Sequence, residues 1–251
     1  MNEFRTTFNP DEDAAASDQP RQSAGFTQFG HQFVPPKALS ERHVACVFLL
    51  DISGSMVRND AIGKLNAGMS AFKNHMQNDE QIADVVDVAI VTFGEKVTLV
   101  HDWTPASEMS APVLNANGRT PLGEALKLGL EMIEKRKEVY RSNGTPYFRP
   151  WIFCITDGQP TDDCYSISLK LKEAEDAKKL IARCVCVEND PNFSKKEIYK
   201  IFNPGRILKL EGLDFSGLFE FVSSSLAAVS QSTPGQEKIN VQAPHTVTMD
   251  I

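Results

Sequence analysis

Three short segments of this 251-residue chain combine acidic, hydroxyl and glycine residues in a pattern suited to binding a metal ion. The first carries Asp51, Ser53 and Ser55 at alternate positions, the second ends in Gly-Arg-Thr120, and the third is Thr-Asp157-Gly. Their side chains offer only oxygen atoms as ligands. Oxygen ligands favour hard cations, so these residue types indicate Mg²⁺, Mn²⁺ or Ca²⁺ rather than zinc or copper.

Each of these residues taken alone has a common structural explanation. Asp51, Ser53 or Ser55 could cap the helix that follows, and Thr120-Pro121 is a good N-cap with proline at the first helical position. Asp157-Gly158 could form only a turn. Their joint occurrence in three loops favours a shared site, provided that the fold brings those loops to one place.

The strands that must position these loops are visible as apolar runs. A strand covered on both faces of a parallel sheet is hydrophobic throughout, whereas a half-exposed strand alternates. Strands are predicted at Val44–Leu50, Val85–Phe93, Val97–Trp103, Trp151–Thr156, Cys184–Val187 and Ile207–Leu210. The short Gly94–Lys96 connection predicts that the second and third strands pair as an antiparallel hairpin.

Amphipathic helices are predicted between the strands from apolar residues spaced three and four apart. They are expected over Ile62–Met76, from Thr120-Pro121 through Ile133, through Ile167, Leu171, Ala174 and Ile181, near Lys195–Ile201, and over Phe215–Val229. Alternating strands and helices predict an α/β fold. We expect a Rossmann-like, doubly wound, mostly parallel sheet of six strands with one antiparallel edge strand and helices on both faces.

The predicted fold places the three loops together. Ligands of doubly wound sheets bind beyond the carboxyl ends of the strands, where the strand order reverses. Asp51 ends the first predicted strand, and Asp157 directly follows the strand at Trp151–Thr156. The carboxylates and hydroxyls are therefore expected at one sheet edge, where the glycines allow close approach of the backbone.

At these residues the sequence resembles a known family. Asp51-x-Ser53-x-Ser55, the later Thr120 and Thr156-Asp157-Gly158 look like the metal-ion-dependent adhesion site (MIDAS) of von Willebrand factor type A (VWA) domains. The resemblance covers about residues 43–230. The run RPWIFCITDGQPTDD is most similar to small intracellular bacterial VWA proteins linked to tellurite resistance and stress operons.

The resemblance implies a strand order of 3-2-1-4-5-6 and a role for each site residue. Ser53, Ser55 and Thr120 would offer hydroxyl oxygens, and Asp51 and Asp157 would bind directly or through water. Thr120 would engage the metal mainly when a ligand is bound. The implied function is non-enzymatic: a protein partner supplies an Asp or Glu to the metal.

Composition limits the other classes of function. The net charge of −7 opposes non-specific binding to nucleic acid or anionic membranes, which needs a basic face. No apolar run approaches the roughly 18 residues that span a bilayer, and the N-terminus lacks the apolar core of a secretory signal. The five cysteines are odd in number and show no CxxC spacing. A soluble, cytoplasmic protein is therefore expected, with its oligomeric state open.

Three regions are predicted along the chain. Residues 1–42 are expected to form a flexible N-terminal lead, residues 43–230 the VWA domain, and residues 231–251 a flexible C-terminal tail. Asp162 and Asp163 are interpreted as solvated loop charges with a supporting role at most. Arg58 and Arg119 are expected at the surface, in loops where they could steer an anionic partner.

Two other functions stay open from the sequence. A haloacid-dehalogenase-like, Mg²⁺-dependent phosphotransferase also places an Asp after its first strand, but it usually needs a second Asp two residues later as acid/base. That position here is Ser53. A structural subunit whose metal serves only folding is the other alternative. No GxxxxGK[ST] loop and no GxSxG motif is present.

Overall fold

The computed structural model describes Pro36 and residues 40–187, 195–231 and 247–249. Most of the predicted lead at 1–42 and of the predicted tail at 231–251 lies outside these described residues. The flexibility of both segments stays a prediction.

The predicted sheet is confirmed. Its described strands are β1 (Val44–Asp51), β2 (Val86–Phe93), β3 (Val97–Pro105), β4 (Trp151–Thr156), β5 (Ile181–Val187), β6 (Ile207–Leu210) and β7 (Val247–Met249). They lie in the order β3-β2-β1-β4-β5-β6-β7. The pairs from β2 to β6 are parallel, and β3 pairs antiparallel with β2 as expected. Every residue of β1, β2 and β4 is buried, which explains their continuous apolar runs.

The sheet has a seventh strand that the sequence analysis does not predict. The three-residue strand β7 pairs antiparallel with β6, with Val247 opposite Leu210 and Met249 opposite Leu208. A strand of three residues is too short to show the alternation of apolar and polar residues that predicts a strand, so nothing in the sequence indicated β7.

The helices also follow the predicted order. They are α1 (Ala61–Asn78), α2 (Leu122–Asn143), α3 (Tyr165–Asp176), α4 (Lys195–Ile201) and α5 (Phe215–Ser230). Short 3-10 helices occupy Gly54–Asp60, Ala106–Glu108 and Pro204–Arg206. In the described part of the chain, no helix combines the length and apolar character needed to cross a membrane.

One helix prediction is wrong at its end. Ile181 does not continue the α3 stripe but opens β5, where its N–H donates to the Pro150 carbonyl at 2.9 Å. Helix α3 ends at Asp176, and Lys178 just beyond it takes a left-handed conformation with φ 57°. Ile181 lies seven residues after Ala174, a spacing that imitates two helical turns although the chain has already reversed.

The sheet separates two hydrophobic cores. Alternate residues of β1 point to opposite faces: Phe48 joins the core under α1 and α5, while Leu49 joins the core under α2 and α3. On the first face Phe48 packs against Phe72 of α1 and Phe219 of α5, with ring centroids 5.1 and 5.7 Å apart. Helices therefore cover both faces of the sheet. The loops at the ends of the strands are left for binding.

The strand register brings the predicted site loops together. Leu50 of β1 pairs with Ile155 of β4, so Asp51 and Thr156, the next residue of each strand, reach the same edge. The chain leaves β1 toward α1 on one face and leaves β4 toward α3 on the other. The site is thus at the point where the direction of strand order reverses.

A buried ionic cluster lies near the amino ends of β1 and β2, opposite the site edge. Asp87 Oδ2 is 3.0 Å from both His43 Nδ1 and an Arg136 guanidinium nitrogen, and it also accepts a hydrogen bond from the Tyr140 hydroxyl. All four side chains are at most 2% exposed. Burial, followed by the Asp87 charge, raises the pKa of Tyr140 well above its usual value, so the phenol stays protonated and donates. The cluster ties the last turns of α2 to the sheet.

Replacing Asp87 by alanine should destabilise the fold strongly. The change removes the carboxylate that compensates a buried guanidinium, which costs roughly 3–5 kcal/mol in comparable sites. Urea denaturation measures the loss. Glu197→Gln is the matched control, because Glu197 pairs with Lys200 at the surface and should change the free energy of unfolding by less than about 1 kcal/mol. Similar losses in both variants would contradict a stabilising role for the cluster.

Candidate metal centre

The loop after β1 is held on both sides by backbone hydrogen bonds. Ile52 N–H donates to the Phe93 carbonyl at 2.8 Å, and Asn117 N–H donates to the Ile52 carbonyl at 2.6 Å. Gly54 N–H donates to the Gly118 carbonyl at 3.1 Å. The first loop is therefore fixed between the end of β2 and the segment that leads to Thr120.

Asp51 is fully buried and is held by neutral donors. Its Oδ1 accepts the Ser53 backbone N–H at 2.8 Å, and its Oδ2 accepts the Thr156 hydroxyl at 2.5 Å. Burial raises the pKa of Asp51 from 3.8 to about 7, although hydrogen bonds from Ser53 and Thr156 oppose the shift. The charge of Asp157 adds a smaller upward contribution to this pKa. A carboxylate in this position is poised to gain from a nearby positive charge.

The two serines connect the first loop to Asp157. The Ser55 hydroxyl donates to Asp157 Oδ1 at 2.6 Å, and the Ser53 and Ser55 hydroxyl oxygens are 2.9 Å apart. Because the single Ser55 hydrogen is given to Asp157, the Ser53 hydroxyl is the donor to Ser55. Asp157 and Ser53 are both buried. Residues separated by about a hundred positions thus meet at one point.

Thr120 can lie close to the same carboxylates because residue 158 is a glycine. A Cβ atom on Gly158 would lie 2.8 Å from Thr120 Oγ1 and 3.7 Å from Asp51 Oδ2, so only glycine leaves room for the Thr120 hydroxyl. The segment before Thr120 is equally tight: Gly118 has φ +78°, and a Cβ there would lie 2.2 Å from the Glu95 backbone nitrogen. Asp51, Ser53, Ser55, Thr120 and Asp157 are therefore brought together.

Helix capping does not explain these residues. Ser53 precedes the 3-10 helix at Gly54–Asp60 without a side-chain capping bond, and α1 begins only at Ala61. Helix α2 begins at Leu122, and its cap position, Pro121, offers no side-chain acceptor. The hydroxyls of Ser53 and Thr120 instead belong to the cluster around the two carboxylates.

Asp162 has the supporting role that the sequence analysis allowed, rather than being only a solvated charge. Its two carboxylate oxygens accept the N–H groups of Gly123 and Glu124 at 3.0 and 2.8 Å, so it supplies the missing cap of α2 from another loop. Asp163 Oδ1 accepts the Tyr165 N–H at 2.9 Å and shapes the start of α3. A capping partner distant in sequence leaves no local signal, so only the fold reveals this role.

Two threonines that support the site were not among the predicted site residues. Thr156 donates to Asp51, and Thr161 exchanges hydrogen bonds with Thr120: the Thr120 N–H donates to Thr161 Oγ1 at 3.2 Å, and the Thr161 N–H donates to the Thr120 carbonyl at 2.9 Å. The sequence could have indicated this role for Thr156, because the predicted sheet places Thr156 beside Asp51 at the end of a neighbouring strand.

The donor set fits a hard divalent cation. Two carboxylates and three hydroxyls supply only oxygen, the ligand type that Mg²⁺, Mn²⁺ and Ca²⁺ prefer. Across the described residues no group of three or more His, Cys, Asp or Glu side chains is arranged to hold a metal, so any site here depends on its hydroxyls. Arg58 and Arg119, in two of the loops, are exposed as predicted.

Comparison with known families shows which family part of the chain resembles. The sequence model of the von Willebrand factor type A domain matches residues 46–159, a segment that runs from β1 to just past Asp157. The strand order and the helices on both faces agree with that fold. The chain thus has the VWA fold, and its residues 46–159 are similar to that family. A search of the curated proteins finds no match.

Solved structures with the same fold include two pilus proteins and a TRAP protein. The pilus adhesin SpaC of Lactobacillus rhamnosus GG aligns with a TM-score of 0.61 and 15% identity over 78% of this chain and 31% of its own. The vWF domain of the pilus tip protein Mfa5 of Porphyromonas gingivalis aligns at 0.60 and 9% identity, over 79% of this chain and 99% of its own. Manganese-loaded TRAP of Plasmodium vivax aligns at 0.50 and 16% identity, over 70% and 72%.

These similarities establish the fold alone, because the identities are low. This chain spans about a third of the length of the pilus adhesin, so the adhesin contains much that has no counterpart here. The activities and partners of the full-length relatives are therefore not assigned to this chain.

The contribution of Asp51 to the stability of the metal-free protein should fall as pH rises from about 4 to about 7. Asp51 has a higher pKa folded than unfolded, so the folded state binds more protons in that interval and loses stability on deprotonation. The shift corresponds to a loss on the order of 4 kcal/mol. Denaturation at several pH values, compared with Asp51→Asn, isolates this contribution. A pH dependence that is unchanged in Asp51→Asn would contradict it.

Gly158→Ala should lower stability by about 1 kcal/mol, because the new methyl group must displace the Thr120 hydroxyl. Gly205→Ala is the matched control, since a Cβ there meets nothing within 4 Å. The free energies of unfolding of the two variants give the comparison. Equal effects would mean that Thr120 does not lie against Gly158.

Proposed function

We propose that this domain binds a divalent cation, Mg²⁺ or alternatively Mn²⁺ or Ca²⁺, through Asp51, Ser53, Ser55, Thr120 and Asp157. Through that cation it holds an Asp or Glu of a protein partner. The observation that carries the proposal is the meeting of two buried carboxylates and three hydroxyls from three loops at the switch point of the sheet.

The charge of this centre suits an acidic ligand. A dication with two carboxylates is formally neutral, since the three hydroxyls contribute no charge. One further carboxylate can then bind without excess repulsion. The net charge of −7 opposes long-range attraction of an acidic partner, so attraction must be local, from the cation and from the exposed Arg58 and Arg119.

The comparisons support a role in binding rather than catalysis. VWA domains typically mediate protein–protein interactions, and the similar solved structures include pilus adhesins and a TRAP protein whose structure is manganese-loaded. We propose that this chain is not an enzyme. Ser53, at the position where a dehalogenase-like phosphotransferase needs its second Asp, cannot serve as acid/base near neutral pH.

We further propose that the protein acts in the cytoplasm, in a bacterial stress or metal-resistance system. Support comes from the similarity of the segment around Trp151–Asp163 to small intracellular VWA proteins. The five cysteines, all of which are free thiols, agree with a reducing compartment.

Asp51→Ala should abolish Mg²⁺ binding, because a single remaining carboxylate compensates little of the cation charge. For the native site we expect a dissociation constant between roughly micromolar and millimolar, as for sites with few carboxylates. Isothermal titration calorimetry measures the Mg²⁺ affinity of the native protein and of Asp51→Ala. Asp163→Asn is the control, since Asp163 lies in the same loop but only bonds the Tyr165 backbone. Unchanged affinity in Asp51→Ala would refute the site.

Thr120→Ala should weaken partner binding more than Mg²⁺ binding, because Thr120 is proposed to engage the cation mainly in the bound arrangement. The partner is captured from the native cell with and without EDTA, and its affinity for each variant is then measured directly. Thr120→Ser, which keeps the hydroxyl, should retain binding. A partner indifferent to EDTA and to Thr120→Ala would place recognition on another face. If chelation lowered only stability, the metal would serve folding alone.

A further inference from the structure

Three exposed apolar side chains lie in segments that carry the candidate metal centre or directly follow its loops: Val57, Tyr165 and Leu169. Within the described residues, five large apolar side chains are exposed: Val57, Val100, Val113, Tyr165 and Leu169. Val57 lies in the loop that carries Ser53 and Ser55, and Tyr165 is the first residue of the helix that follows the Asp157 loop. Contiguous exposed apolar groups on a soluble domain often mark a binding surface.

The fold fixes Tyr165 at the site edge. Its N–H is bonded to Asp163, and the neighbouring Asp162 holds the first turn of α2, so α2 and α3 both begin here. Tyr165 is nevertheless 72% exposed. Leu169, four residues later on the same helical face, is 53% exposed, while Ile167 and Leu171 face the core. Tyr165 and Leu169 therefore form an outward apolar surface.

Val57 occupies the other side of the edge. It belongs to the 3-10 helix that leads to α1 on the opposite face of the sheet, and its neighbour Met56 is buried in the core beneath. Val57 itself is 63% exposed. Because Met56 anchors this segment, Val57 is presented outward by a fixed backbone. The cation-binding edge thus lies between two apolar groups on opposite sides.

We propose that the partner presents its Asp or Glu between apolar side chains, one packing on Tyr165 and Leu169 and another on Val57. This inference rests on the proposed function, since the carboxylate is the group that binds the cation. The formally neutral centre with Arg58 and Arg119 beside it accepts a single acidic group, and the surfaces flanking it accept uncharged, apolar ones. The occupant is a segment of a partner protein in which an acidic residue interrupts an apolar stretch.

The test uses synthetic peptides with saturating Mg²⁺. One peptide has a central glutamate flanked by leucine and phenylalanine, a second has serine flanks, and a third replaces the glutamate of the first by glutamine. The apolar-flanked glutamate peptide should bind about tenfold more tightly than the serine-flanked one. Tyr165→Ser and Leu169→Ser should remove most of that preference and leave Mg²⁺ binding unchanged. Val100→Thr, on strand β3, is the matched control and should retain the preference.

The outcomes separate this inference from the proposed function. Equal affinity for both glutamate peptides, with no effect of Tyr165→Ser, overturns the apolar surface; loss of binding by the glutamine peptide would still support the metal-bridged carboxylate. If neither glutamate peptide binds while Mg²⁺ does, the proposed function itself fails. A third outcome is that the chain self-associates in the presence of Mg²⁺, that Tyr165→Ser abolishes this association, and that neither glutamate peptide is preferred. The surface would then bind a second copy of the chain, which would overturn the inference.

Discussion

The buried carboxylate of Asp51 is the constraint on which the site depends. A carboxylate at the end of a fully buried strand loses its hydration, and the groups that replace water around it are the Ser53 N–H and the Thr156 hydroxyl. These donors are neutral and offset only part of the cost, so the pKa stays well above its ordinary value. A second buried carboxylate, Asp157, adds to this cost. The cation proposed for the site would supply the missing positive charge.

The remaining geometry serves to keep three loops in register around that carboxylate. Asp162 caps α2 from the loop after β4, and the paired hydrogen bonds of Thr120 and Thr161 join the same two segments. The first loop is held by backbone bonds to Phe93 and Gly118. The hydroxyls are thus positioned by contacts between segments distant in sequence. These contacts hold the site residues in position before anything binds, and the rest of the fold must stabilise that arrangement.

The sequence was most informative where burial was complete. Continuous apolar runs predict β1 and β4 well because both faces of these strands are covered, and the order of strands and helices then places Asp51 and Asp157 at one edge. It was least informative where a long-range contact decides the outcome. The capping role of Asp162, the end of α3 before Ile181 and the short strand β7 each depend on a partner far away in the chain. The ionic cluster around Asp87 was invisible for the same reason.

The separation between the site residues has a consequence for biosynthesis. The hydrogen bonds from Thr156 to Asp51 and from Ser55 to Asp157 close loops of 105 and 102 residues. Closing such loops is entropically costly, and both contacts need residues that are synthesised after the intervening strands β2 and β3. A nascent chain on the ribosome that has not yet released β4 possesses the serines of the first loop but no second carboxylate. Affinity for the proposed cation would therefore emerge only when the central strands have docked, so that binding of the ion would follow completion of the fold rather than guide its early steps.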